Sequence, residues 1–163
     1  VSWLRRQRVA LTALMFSAIA VAGVYLWLDI GPVAEAESVT ITEAVDGTAE
    51  VAGQELTLES ARWDEFPAPD GARVVSVRLT ASGGPDSTMC GQVTLTEMHG
   101  SRTWLDAGDL VDVPYEEGEP YCLEESAPYD IISVFAVPDD AAGPFYLDIA
   151  GEDDAVTRFL VEP

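Results

Sequence analysis

Hydrophobic and polar positions follow two different rhythms along this chain. From residue 9 to residue 28 there are twenty residues without a charge, broken only by the small or weakly polar Thr12, Ser17, Gly23 and Tyr25. At a rise of about 1.5 Å per residue, a helix of that length covers the roughly 30 Å hydrocarbon core of a bilayer. It would also satisfy its own backbone hydrogen bonds there. Beyond residue 38 the period becomes two. Val75, Val77, Leu79 and Ala81 alternate with Val74, Ser76, Arg78 and Thr80. Leu56 and Leu58 alternate with Thr57 and Glu59, and Val93 and Leu95 with Gln92, Thr94 and Thr96. Phe145, Leu147 and Ile149 alternate again, and residues 156–161 supply a closing strand. Residues 131–137 (IISVFAV) are apolar on both faces, which predicts a strand in the middle of a packed sandwich.

Turn residues punctuate these runs at Ala52-Gly53, Pro67 to Gly71, Ser82 to Pro85, His99-Gly100-Ser101, Asp139-Asp140 and Gly151. Short strands at this spacing predict an all-β fold, a β-sandwich of immunoglobulin-like type, preceded by one N-terminal transmembrane helix. The expected organisation is a basic N-terminus at 1–8, the helix at 9–28, a tether at 29–47 and an extracytoplasmic sandwich at 48–163.

Charge then orients the chain. Its 163 residues hold 29 Asp and Glu against 8 basic residues, all Arg, for a formal charge of -21. Such a chain repels a phosphate backbone, so nucleic acid is excluded as a partner. A hydrophobic content of 48% is too high for wholesale disorder. Arg5, Arg6 and Arg8 precede the apolar run, whereas 28 of the acids lie from residue 31 onward. The positive-inside rule therefore predicts a single pass, N-terminus in and acidic bulk out. The rival is a cleaved signal peptide ending at Ala34-Glu35-Ala36, although the apolar run exceeds the roughly 7–15 residues of an ordinary signal core.

Both cysteines, Cys90 and Cys122, fall in the part expected outside, where an even pair ordinarily bonds. Two buried thiols or half a metal site are the alternatives, and the single His99 leaves few soft ligands for zinc. His99 sits in a turn with no Gly-x-Ser-x-Gly elbow nearby, and Ser82-Gly83-Gly84-Pro85 lacks the Lys of a phosphate loop. No catalytic residue and no cofactor is expected. Asp106, Asp109 and Asp112, followed by Glu116 and Glu117, are weak metal candidates with hard oxygen ligands. Read as an EF-hand from Asp106 they fail, because Gly108, Leu110 and Val111 occupy ligand and turn positions. A solvated acidic face is the simpler reading. Trp63, Phe66, Trp104, Tyr115 and Tyr121 border acidic stretches and form a candidate interaction patch; the plainer alternative is that Trp63 and Trp104 plug the sandwich core.

Three stretches carry a resemblance: residues 74–81 (VVSVRLTA), residues 100–104 (GSRTW) and residues 129–149 (YDIISVFAVPDDAAGPFYLDI), with Val137-Pro138-Asp139-Asp140 as the turn before a further strand. Together with the anchor and the acidic tether, they resemble single-pass envelope proteins of high-GC actinobacteria whose extracytoplasmic domain is telokin-like, that is, immunoglobulin-like. The Cys pair and the heavy acid load depart from that pattern. The resemblance implies a fold and a location and no catalytic residue. The expected function is thus a membrane-anchored, extracytoplasmic, non-catalytic module that binds an envelope protein or polymer. An exported domain that binds divalent cations or a small ligand is the alternative.

Mass spectrometry of the protein purified from cells checks the anchor: residues 9–28 are expected in the mature chain, and a mature N-terminus at Glu37 would rule it out.

Overall fold

The computed structural model describes residues 39–84, 86–151 and 155–163, and in the N-terminal stretch residues 7, 12, 14–21 and 23–25. The chain divides into two units, Val1–Ser38 and Val39–Pro163. In the first, residues 12, 14–21 and 23–25 are helical and their side chains are exposed. Arg5, Arg6, Arg8, the remaining residues of the expected 9–28 span and the tether up to residue 38 lie outside the described residues. Among the described residues, no helix is long and apolar enough to cross a membrane.

The second unit is a sandwich of two β-sheets. Its strands are β1 (Thr40–Glu43), β2 (Thr48–Val51), β3 (Gln54–Trp63), β4 (Ala72–Gly83), β5 (Val93–Glu97), β6 (Thr103–Leu105), β7 (Tyr129–Pro138), β8 (Phe145–Ala150) and β9 (Ala155–Val161). One sheet has the order β1-β9-β8-β5-β6, the other β2-β3-β4-β7. All pairings are antiparallel except β1 with β9. The sandwich therefore starts at Thr40, inside the 29–47 stretch expected as tether. Thr40, Ile41, Thr42 and Glu43 are all exposed, so β1 carries no inward-outward alternation. Its pairing partner lies more than a hundred residues downstream, beyond the reach of any local signal.

Alternating positions build the core. Val75, Val77, Leu79 and Ala81 of β4 meet Leu95, Phe145, Leu147, Ile149, Phe159 and Val161 from the facing sheet, all buried. β3 changes phase halfway. A bulge between Leu58 and Ser60 inserts one residue, so Leu56 and Leu58 face inward before it, and Ala61 and Trp63 after it. Without that extra residue every side chain beyond it would turn to the other face. The β2–β3 turn uses Ala52 at φ 51° and Gly53 at φ 73°, the two positive angles of a type I′ hairpin. Gly53 is also required by space, since a Cβ there would come within 2.9 Å of the Asp86 carbonyl oxygen.

The two ends of the sandwich are closed by different chemistry. At one end Phe145, fully buried, receives Trp63 at 5.7 Å and Trp104 at 6.0 Å between ring centroids, both edge-on. Arg73 lies over Trp63 at 4.1 Å and Arg102 over Trp104 at 5.6 Å, so cations cover the outer ring faces. At the other end Gln54, wholly buried, donates from Nε2 to the carbonyls of Thr88 (2.7 Å) and Leu123 (2.8 Å). It also accepts from the Tyr129 hydroxyl at 2.5 Å, while that hydroxyl accepts from the Leu123 N–H at 2.7 Å. Cys90 and Cys122 are disulfide-bonded and join the same two connecting segments, with Cα atoms 5.3 Å apart.

The bridge spans 32 residues, so the double variant Cys90→Ala/Cys122→Ala should lose about 3–4 kcal/mol of unfolding free energy in the chain-entropy model. Urea unfolding of oxidised wild type against the variant, read as a lower unfolding free energy from each protein's own midpoint and slope, checks this.

Candidate functional site

β7 is the last strand of its sheet, so its outer backbone edge needs partners from elsewhere. They come from the long connection between β6 and β7. Glu119 N–H donates to the Asp130 carbonyl (2.8 Å) and the Ile132 N–H to the Glu119 carbonyl (2.9 Å). Two residues on, the Ala107 N–H donates to the Val134 carbonyl (2.7 Å). The Val134 N–H donates to Asp106 Oδ2 (3.0 Å), and Asp106 Oδ1 accepts from the Gly108 N–H (2.9 Å). A carboxylate thus stands where a neighbouring strand would put a carbonyl. Packing of protein around this carboxyl pushes its pKa up; the two N–H donors oppose the shift without cancelling it.

The same connection covers the outer face of the sheet. Phe66, Val74, Ala107, Val111, Ile132 and Val134 form a second buried cluster there. Residues 131–137 are therefore apolar on both faces, as their pattern implied, but β7 is an edge strand and not a central one. Its outer face is buried by a loop instead of by a third layer of sheet.

Arg78 of β4 pins the connection down. Its guanidinium donates to the Glu117 carbonyl (3.1 Å), to Glu117 Oε2 (2.7 Å) and to Glu65 Oε1 (3.1 Å), and Glu65 Oε2 accepts from Ser76 Oγ at 2.6 Å. Burial would raise the Glu65 pKa, but the hydrogen bonds from Ser76 and Arg78 and the charge of Arg78 outweigh it and hold the carboxyl below its ordinary value.

Between this connection and β7 lies a cavity of about 420 Å³, within the range of small-ligand and side-chain pockets. Ile132 and Val134, both buried, form its floor. Val113, Pro114 and Pro120 line it, and Asp106 and Asp109 bring carboxylates to it. Tyr115, from a single 3-10 turn at Tyr115–Glu117, and Tyr121 complete the lining while remaining 82% and 52% exposed. No arginine lines the groove. The five arginines of the sandwich all pair elsewhere: Arg62 with Glu65, Arg73 with Asp64, Arg78 with Glu65 and Glu117, Arg102 with Glu97 and Asp140, and Arg158 with Asp148.

The structure divides the aromatic patch expected from sequence. Tyr115 and Tyr121 come together at the groove. Phe66 is buried beneath the connection, and Trp63 and Trp104 pack on Phe145 at the end of the sandwich, in accord with the plainer reading of those two. Asp106 and Asp109 share the groove, whereas Asp112 is exposed outside its lining. Among the described residues, no three His, Cys, Asp or Glu side chains gather to hold a metal ion. A second cavity of about 230 Å³ takes in Glu59, Glu117 and Asp130, but Arg78 lines it as well and supplies the counter-charge internally. His99 is exposed in the β5–β6 turn. The sequence reading missed Gln54 and Tyr129 as a pair, since they are 75 positions apart. It also missed the structural use of Asp106, which looks like any other acid in an acidic loop. No family model, curated protein or solved structure matches this chain.

Two carboxyls with opposite shifts give opposite pH signatures. Asp106 has a raised folded pKa, so the folded state holds its proton longer than the unfolded chain, and its contribution to stability is lost as pH rises through the folded pKa. Glu65 has a lowered one, so its contribution is present above the unfolded pKa and is lost as pH falls through the folded pKa. Urea unfolding from about pH 3 to about pH 7 should show Asp106→Asn costing more at the acid end and Glu65→Gln costing more at the neutral end. Parallel pH trends for the two variants would contradict these environments. Asp106→Ala, which leaves the buried Val134 N–H unpaired, should cost about 1–3 kcal/mol.

Proposed function

We propose that this protein is a membrane-anchored, extracytoplasmic, non-catalytic interaction module of the cell envelope that meets its partner, an envelope protein or polymer, at the groove beside β7. The observation that carries the reading is that groove: a buried aliphatic floor, two largely exposed tyrosines and two carboxylates, on an ordered loop anchored by Arg78 and ending next to the disulfide. Exposed tyrosines beside apolar side chains are the usual anchors of protein interfaces.

Other features support location and fold class. The disulfide suits an oxidising compartment. Residues 14–21 and 23–25 are helical, with Leu14, Met15, Phe16, Ile19, Val21 and Val24 exposed. Apolar side chains so uncovered by protein suit a lipid environment, and the arginines before them suit an N-in orientation. The strand orders β9-β8-β5 and β3-β4-β7 follow the G-F-C and A-B-E orders of immunoglobulin-like sandwiches. A telokin-like module of an actinobacterial envelope protein accords with these features. The disulfide joins connecting segments instead of the two sheets, which sets this sandwich apart from antibody domains.

Photo-cross-linking in intact cells tests the interface. A photoreactive phenylalanine at position 115 should give a discrete adduct that the same group at position 42, on the exposed strand β1, does not give. Equal labelling from both positions, or none from 115, would overturn the groove as the interface.

A further inference from the structure

We infer that the groove beside β7 receives a cationic side chain, Lys or Arg, presented by an extended segment of a protein partner. This rests on the reading of the groove as an interface and specifies what enters it.

The lining matches such a side chain from stem to head. Ile132 and Val134 are two apart on β7 and so face the same way, roughly 7 Å apart along the strand. With both of these side chains almost wholly buried, Val113, Pro114 and Pro120 of the connection supply the rest of the apolar wall, cover that suits the methylene stem of Lys or Arg while its charged end stays free. Tyr115 and Tyr121 line the groove, and aromatic rings are ordinary partners of ammonium and guanidinium groups. Asp106 and Asp109 supply the opposite charge. No cation of the sandwich competes, because each of its five arginines already pairs with a carboxylate elsewhere.

Other occupants fit the same surface less well. A phosphate or an acidic polymer meets two carboxylates and a chain of formal charge -21. An uncharged apolar side chain would strip more water from the Asp106 carboxyl without supplying a counter-charge. A cation supplies that counter-charge. The overall negative field also speeds the approach of a basic segment. By itself that field gives no site, and the test has to separate the two.

The full chain in a non-ionic detergent, at about 150 mM salt to screen long-range attraction, is titrated with three capped hexapeptides that differ only in a central Lys, Arg or norleucine. Calorimetry gives the affinities, and NMR of tyrosine-labelled protein gives the location. The Lys and Arg peptides should bind about tenfold or more tighter than the norleucine peptide and shift the ring signals of Tyr115 and Tyr121. Tyr115→Ala and Asp109→Asn, both at exposed loop positions, should each weaken the charged peptides about fivefold and remove most of the discrimination. Asp106 is left intact because it holds the Val134 N–H. Equal binding of norleucine, no binding of any peptide, or charged-peptide binding indifferent to both variants each overturns the inference. Cross-linking from position 115 separates the two levels. Specific capture without cation preference removes only the inference, whereas no capture and no peptide binding remove the interface as well.

Discussion

An unpaired sheet edge is the constraint around which this molecule is arranged. β7 ends its sheet, and its outward N–H and C=O groups either bond to protein or invite another chain to do so. The connection after β6 meets that requirement at Asp130, Ile132 and Val134, partly with backbone and partly with the Asp106 carboxylate. A loop bound at two places along a strand stands off it between them. The groove is that gap, so the residues that protect the sheet edge also create the surface available to a partner.

The sandwich can hold such a loop because its two ends are closed independently. Two tryptophans set edge-on to Phe145 close one end, largely by apolar burial with arginines covering the outer rings. Gln54, Tyr129 and the disulfide close the other, and this end fixes where the long connection stops, because Cys122 follows Tyr121 directly. A fully buried amide such as Gln54 is tolerable only because its oxygen and its nitrogen both find partners. The Ser133 hydroxyl is the exception among the described residues: it is buried with no hydrogen-bond partner.

Charge has two roles that are easily confused. Most of the acids are solvated, and individually they contribute little to folding. A few are positioned. Glu65 and Glu117 converge on the half-buried Arg78, and Asp106 serves the backbone of β7. With only five arginines in the sandwich, and all of them committed to such contacts, the remaining carboxylates have no internal counter-ions. Their counter-charge comes from solvent.

Much of the sandwich was legible in the letters. Period-two alternation depends only on neighbours two residues apart, so β4, β5, β7, β8 and β9 and the turns between them followed from sequence, as did the even cysteine pair. The alternation of Leu56 and Leu58 with Thr57 and Glu59 was legible too, but only the register reveals the bulge after Leu58 that turns Trp63 inward. Other features were not legible, because they rest on contacts between residues far apart in the chain. The exposed strand β1 is defined by its pairing with β9 and not by its own pattern. Five aromatics that sequence grouped together were assigned by packing to three places. Asp106 and Asp112 are the same residue type in the same acidic stretch, and only the approach of the Val134 N–H makes one of them structural. The sequence by itself thus determined which residues want burial and which want water. Tertiary structure decided which edge was left open and which loop closed it, because hydrogen-bond partners are chosen by proximity in space.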